Sequence, residues 1–194
     1  SEVARIGYHS PKGNLHLAYT KGILRHEGTR IANGVRQEIS EPQVFDILSF
    51  KYDFEHWSII SEYYQIDIDA SMHLYTDASN TMLPQSMPNQ RILAEGWYTQ
   101  FVWRINNNYE AFLRYEYFNP VATDENNLSA LQPQERHQQN EFVIGLERFF
   151  GEHWLLKTEI HFIDGAFFAH WSENDLNDLE QNWSMFLTQL SYRF

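Results

Sequence analysis

The sequence predicts an all-β fold, a transmembrane antiparallel up-and-down β-barrel. Three observations carry this prediction: strict two-residue alternation of apolar and polar residues, tight turns that alternate with longer connections, and aromatic residues beside the tight turns. Alternation with period two describes a strand with two different faces. The last segment of the chain shows it best, because Phe186, Thr188, Leu190, Tyr192 and Phe194 share one side.

The composition sets the limits of the prediction. The 194 residues suffice for one domain with a real core, and residues 1–194 are interpreted as one barrel domain or the C-terminal part of one. A net charge of −12 argues against nucleic acid as a partner. The absence of cysteine excludes disulfide scaffolds and Cys-based zinc sites. No apolar run reaches the roughly 18 residues of a transmembrane helix, whereas strands cross a membrane with only alternate residues in lipid.

Nine strands are predicted, of which the first eight form four hairpins. The hairpins pair 3–8 with 15–24, 43–54 with 57–68, 96–105 with 109–118, and 140–150 with 154–163. The ninth strand, 182–194, follows them alone. Glycine, proline or asparagine marks three of the tight turns, at 10–14, 106–108 and 151–153, and Glu-His forms the fourth at 55–56. Most predicted strands are long enough to cross a bilayer, which takes about 9–11 tilted residues.

The connections at the other end of the strands are predicted to be longer and unequal. They are interpreted as extracellular loops at about 26–42, 69–93, 119–139 and 169–181, opposite short periplasmic turns. Aromatic residues collect beside the tight turns, where a barrel would place them at one membrane interface. This predicted girdle consists of Tyr52, Phe54, Trp57, Trp103, Tyr109, Phe150, Trp154 and Tyr192.

The face opposite the apolar one carries many charges, which a soluble β-sandwich would have to desolvate in its core. A water-filled interior accepts them at no such cost, so the barrel is favoured over the sandwich. The candidate pore-lining residues are Lys51, Glu62, Arg104, Glu110, Arg114, Glu116, Glu147, Lys157, Glu159 and His161. No catalytic motif or metal-binding motif is recognised, and no cofactor is expected. Glu159 and His161, two apart on one face, could at most form half of an acid–base or metal site.

The segments GWYTQFVWRI, EAFLRYEYF, EFVIGLERFF and LTQLSYRF resemble hairpins from the C-terminal half of Gram-negative porin-like outer-membrane proteins, in the style of phosphate-selective and related substrate-specific porins. The resemblance implies passive diffusion of small hydrophilic solutes or ions, without enzymatic activity. It also implies the outer membrane as location and lipid and lipopolysaccharide as partners. Phe194, Tyr192 and Leu190 resemble the terminal signal that the barrel assembly machinery reads.

The strand count leaves a choice open. Counting back from Phe194, the segment 3–8 would begin outside the cell, so either earlier strands belong to the barrel or residues 1–13 are a periplasmic lead to an eight-stranded barrel. The first is favoured, with sixteen or more strands in total. Two other functions stay open: a structural or scaffold barrel that houses an envelope partner protein, and a small outer-membrane enzyme on eight strands. A second copy of the chain is a further candidate partner.

Overall fold

The computed structural model describes residues 1–32, 35–76, 87–124, 138–166 and 180–193. These residues are all-β and form the nine predicted strands. The strands are β1 Glu2–His9, β2 Leu15–Ala32, β3 Val35–Asp53, β4 Trp57–Thr76, β5 Met87–Asn106, β6 Tyr109–Asp124, β7 Gln139–Phe150, β8 Trp154–Asp164 and β9 Asn182–Tyr192. Among these described residues there is no helix of the length and apolarity needed to cross a membrane.

The nine strands form one antiparallel up-and-down sheet in chain order, which confirms the predicted all-β, antiparallel up-and-down architecture. Every strand pairs with the next one along the chain, from β1 with β2 to β8 with β9. Strands β1 and β9 are the two edges, and the described residues leave the sheet unclosed. Both edge strands run toward the tight-turn end, so that a direct pairing between them would be parallel.

The four tight turns lie at one end of the sheet, and each is tied by a backbone hydrogen bond to the next strand along the chain after its own hairpin, or in the fourth case to the residue that follows β9. The carbonyls of Asn14, His56, Asn108 and His153 accept from the backbone amides of Asp53, Arg104, Phe149 and Arg193, at 2.7–2.9 Å. Gly13 and Gly151 have φ of 73° and 63°, a left-handed conformation that glycine adopts without a Cβ clash. The recurring bond explains the recurring hairpin pattern of the sequence, since each turn fixes the register of its neighbour.

At the opposite end, the predicted loop boundaries are wrong. β2 continues to Ala32 and β3 begins at Val35, so most of the predicted loop 26–42 is paired strand. The same holds for 69–76, 87–93 and 119–124. The remainder of the second and third loops, and most of the fourth at 169–181, lies outside the described residues. Backbone pairing continues there although the alternation of side chains has ended, because strands that have left an apolar layer can be polar on both faces.

One face of the sheet is crowded and the other is open. Val143 is 0% and Val102 is 8% exposed, whereas Leu190 and Phe186 on the other face are 62% and 67% exposed. Two faces of a flat single layer would be equally open, and the described residues contain no second layer. The sheet therefore curls, with the crowded side chains on its concave face.

Three glycines on the concave face lie beneath aromatic rings of a neighbouring strand. Phe45 covers Gly22, Tyr64 covers Gly96 and Phe112 covers Gly145, and a Cβ built on any of these glycines would collide with the ring. Each pair joins adjacent strands, β2 with β3, β4 with β5, and β6 with β7. The missing side chains let the rings lie against the wall of the sheet rather than project from it.

Candidate functional site

The structure places all ten candidate pore-lining residues on the concave face. Cross-strand pairing aligns them: Glu110 lies opposite both Arg104 and Glu147, and Glu147 lies opposite Lys157. Farther from the tight turns on the same two strands, Glu116 lies opposite Glu141, which the sequence analysis did not include among the candidates. We refer to the concave-face residues of all nine strands, from the tight turns to the level of Gly22 and Gly96, as the concave wall.

Near the tight turns, Arg104 joins three segments of the concave wall. Its guanidinium donates to the Asp53 carboxylate at 3.0 Å and to the Phe54 carbonyl at 2.9 Å, and lies 3.7 Å from Glu110. Lys51 reaches the other oxygen of Asp53 at 2.8 Å. Because the partners come from β3 and β6, these contacts fix the turn between β3 and β4 against the strands that follow.

A second group of charges lies on β6, β7 and β8. Arg114 forms an ion pair with Glu116, Lys157 forms one with Glu159 at 3.1 Å, and Nδ1 of His161 contacts the Glu141 carboxylate. The His161 side chain is 6% exposed. Its ring therefore belongs to the wall itself, held by a carboxylate of the adjacent strand.

The predicted girdle occupies the outward face at the tight-turn end. Phe54 stacks on Trp57 with ring centroids 3.6 Å apart, and Trp154 packs on Tyr192 at 4.7 Å. Trp57 and Trp103 are direct cross-strand partners, as are Phe150 and Trp154. Arg148, which interrupts the apolar face, lies 4.3 Å from the Phe150 ring centroid and 5.4 Å from that of Tyr109. The guanidinium of Arg148 therefore makes cation–π contacts with the neighbouring girdle rings, which stabilise its charge on this face. The girdle's contact with lipid stays a prediction.

A second row of aromatic residues, which the sequence analysis missed, crosses the outward face farther from the turns. It consists of Tyr19, Tyr63, Trp97, Tyr115, Tyr117, Phe142 and Phe162, aligned by register. The signal for it was available, because a polar residue lies two positions away from six of the seven rings, Tyr115 being the exception. We call the outward face between the two aromatic rows the apolar belt.

The belt ends at a row of polar residues immediately beyond the second aromatic row. These residues are Lys21, Asp46, Gln65, Glu95, Asn119, Asn140, Asp164 and Asn182. Tyrosine hydroxyls reach up to them: Tyr63 donates to Glu95 at 3.2 Å, and Tyr115 to Asn140 at 2.9 Å. Rings with an apolar body and a polar tip are typical of membrane–water boundaries.

Beyond the polar row the outward face carries an ion pair between β4 and β5. The Arg91 guanidinium donates to both oxygens of Asp67, at 2.9 and 2.6 Å, and these hydrogen bonds lower the pKa of the Asp67 carboxyl. A carboxylate whose folded pKa is depressed stabilises the fold above its unfolded pKa, and that contribution is lost as the pH falls through the folded pKa. The pair is well exposed, so its contribution is small.

The terminal signal is described only in part. Leu190 and Tyr192 lie on the outward face, opposite Leu156 and Trp154, with 62% and 52% exposure. Phe194 lies outside the described residues. Recognition of these residues by the assembly machinery stays a prediction.

The alternative catalytic or metal pair does not form as the sequence suggested. His161 is bound to Glu141 rather than to Glu159, whose contact is Lys157. The hydroxyl of Ser61 donates to the Tyr98 carbonyl at 2.9 Å. Within the described ranges, no group of three or more His, Asp or Glu residues is arranged to hold a metal ion.

No family model matches the chain, and no curated protein matches it. Among solved structures, a NanC porin in a rhombohedral crystal form is similar over 99% of both chains, with 12% sequence identity and a TM-score of 0.42. The fold assignment rests on the strand pairing described above and not on this likeness.

Proposed function

We propose that this chain belongs to an outer-membrane β-barrel of the porin type, which passes small hydrophilic solutes or ions by passive diffusion. The observation that carries the proposal is the contrast between the two faces of the sheet. The outward face is an apolar belt with aromatic rows at both borders, and the concave face is lined by charges. This arrangement suits a barrel whose outward face contacts lipid and whose concave face contacts water.

The height of the belt supports a membrane location. Phe142 and Phe150 lie in the two aromatic rows of β7, eight residues apart. At about 3.3 Å per residue and a tilt of about 40°, this separation spans about 20 Å along the membrane normal. Bacterial outer-membrane barrels have an apolar band about 25 Å tall in a bilayer thinner than average. The girdle would then lie at the periplasmic interface and the polar row at the outer one.

A water-soluble alternative is disfavoured by the exposed apolar surface. Trp103 and Phe162 are 54% and 49% exposed, in a belt continuous across nine strands. Monomeric soluble proteins rarely expose contiguous apolar patches above a few hundred Å². The ion pairs of the concave wall, in contrast, need water or polar partners and fit a hydrated interior.

We propose no catalytic role, because Glu159 and His161, the pair that the sequence offered for acid–base chemistry, are each bound to a different partner. A scaffold barrel, with its interior filled by a partner, would share the same two faces and differ only in conductance.

Conductance tests the proposal directly. The purified, folded protein in planar bilayers should give discrete steps of ionic current, because a closed barrel with a charged, hydrated wall conducts. The control is the same preparation after heat unfolding, which should be silent. A protein that migrates as a folded, heat-modifiable band yet shows no current steps would contradict the porin proposal and favour the scaffold.

A further inference from the structure

The charges of the concave wall are not balanced. The described part of the concave wall holds seven carboxylates and five cations, when histidines are taken as neutral. The carboxylates are Asp53, Glu62, Glu110, Glu116, Glu141, Glu147 and Glu159, and the cations are Arg5, Lys51, Arg104, Arg114 and Lys157. The surplus is negative.

Four of the five cations are already committed to carboxylates. Lys51 and Arg104 share Asp53, at 2.8 and 3.0 Å. Arg114 is paired with Glu116 and Lys157 with Glu159. The fifth, Arg5, lies on the edge strand β1. Paired cations attract a passing anion weakly, because the neighbouring carboxylate cancels most of their field.

Three carboxylates, in contrast, have no Lys or Arg within ion-pair distance among the described residues. Glu62 accepts from Ser49 at 2.7 Å, which is a neutral donor. Glu141 is held by His161. Glu147 lies opposite Glu110 on one side and Lys157 on the other, but the Lys157 ammonium is paired with Glu159, and Arg104 lies 3.7 Å from Glu110. A cation beside Glu147 would relieve its repulsion by Glu110.

His161 supplies an independent sign of a missing partner. Its Nδ1 is engaged by Glu141, and its buried Nε2 has no hydrogen-bond partner among the described residues, although the side chain is more than nine-tenths buried. In the tautomer whose Nδ1–H donates to the carboxylate, Nε2 presents a lone pair. Such an acceptor, in a group of carboxylates, suits a cation that carries N–H donors.

We propose that the concave wall prefers cations, and that the stretch of β7 and β8 around His161, Glu141 and Glu147 is where small ammonium ions dwell during passage. The inference rests on the proposed channel function and specifies its solute class. Carboxylates along a hydrated wall raise the local cation concentration and lower that of anions. An ammonium ion can in addition donate to Nε2 of His161, which a quaternary ion cannot.

Reversal potentials in a KCl gradient test the preference. The wild-type protein should pass K⁺ more readily than Cl⁻. Glu147→Gln should lower the K⁺/Cl⁻ permeability ratio by about twofold, because one unpaired charge leaves the wall. Glu95→Gln is the matched control, since it makes the same chemical change on the outward face and should leave the ratio as it was. Anion preference in the wild type, or equal effects of the two variants, would overturn the inference.

The ammonium contact is tested without any need for conductance. In the folded protein in detergent, the side-chain nitrogen NMR signals of His161 should shift on titration with ethylammonium chloride and stay in place with tetramethylammonium chloride, which has the same charge but no N–H donor. Equal response to both ions, or to neither, would overturn the assignment. A folded protein that shows the shift but carries no current would keep the cation site and lose the porin function.

Discussion

Ile144→Arg is expected to destabilise the folded protein by about 2–4 kcal/mol, the cost of a cationic side chain near the middle of a barrel's lipid-facing band. Ile144 lies on the outward face at the centre of β7, 44% exposed, between Phe142 and Leu146 in the apolar belt. The free energy of unfolding would be measured by denaturant titration of the protein refolded into lipid vesicles, where the bilayer is the solvent for the belt.

The matched control for this change is Gln189→Arg. Gln189 lies on the concave face of β9, opposite Lys157, and is exposed there. If that face is hydrated, the same arginine should lower the free energy of unfolding by no more than about 1 kcal/mol, most of it from repulsion by Lys157. Equal costs at both positions would mean that the two faces meet the same solvent, and the membrane assignment would have to be abandoned.

The second large effect is expected at Gly145, where the wall has no room for a side chain. Gly145→Val would drive a Cβ into the ring of Phe112, which is 3% exposed and packed against Val102 and Val143. Overpacking of this kind costs about 1–3 kcal/mol. The ring would have to leave the wall, so the conductance of the channel should fall together with the stability.

A double-mutant cycle assigns the cost to this contact. Phe112→Ala in the Gly145→Val background should recover part of the loss, because the added methyls would occupy the space that the ring vacates. Gly28→Val is the control, as a Cβ at Gly28 meets no atom within 4 Å. Purely additive free energies for Gly145 and Phe112 would contradict the proposed role of the pair.

The strands could be predicted because their outward residues alternate strictly within the apolar belt, as in β5 from Trp97 to Trp103. Their extension beyond the polar row could not be predicted, since Glu27, Gly28 and Thr29 no longer alternate in polarity although they remain paired with β3. Lipid imposes the pattern only where it contacts the strand. The four tight turns were predictable for a local reason, namely their own turn residues.

Contacts within the wall depend on cross-strand register, which adjacency in the sequence does not reveal. Glu159 and His161 are neighbours on one strand, yet His161 is bound by Glu141 of β7. The covering of Gly145 by Phe112 likewise follows from the pairing of β6 with β7. Turn lengths set such registers, so the candidate residues could be assigned to a face but not to their partners.

A cysteine scan along β6 tests the central claim, that the concave wall faces water and the belt faces lipid. The chain has no cysteine, so single cysteines at positions 110, 111 and 113–116 can be introduced one at a time. In lipid vesicles, a water-soluble thiol reagent should modify positions 110, 114 and 116, and a lipid-borne quencher should reach labels at 111, 113 and 115. Uniform labelling from water at all six positions, or the opposite phase, would contradict the claim.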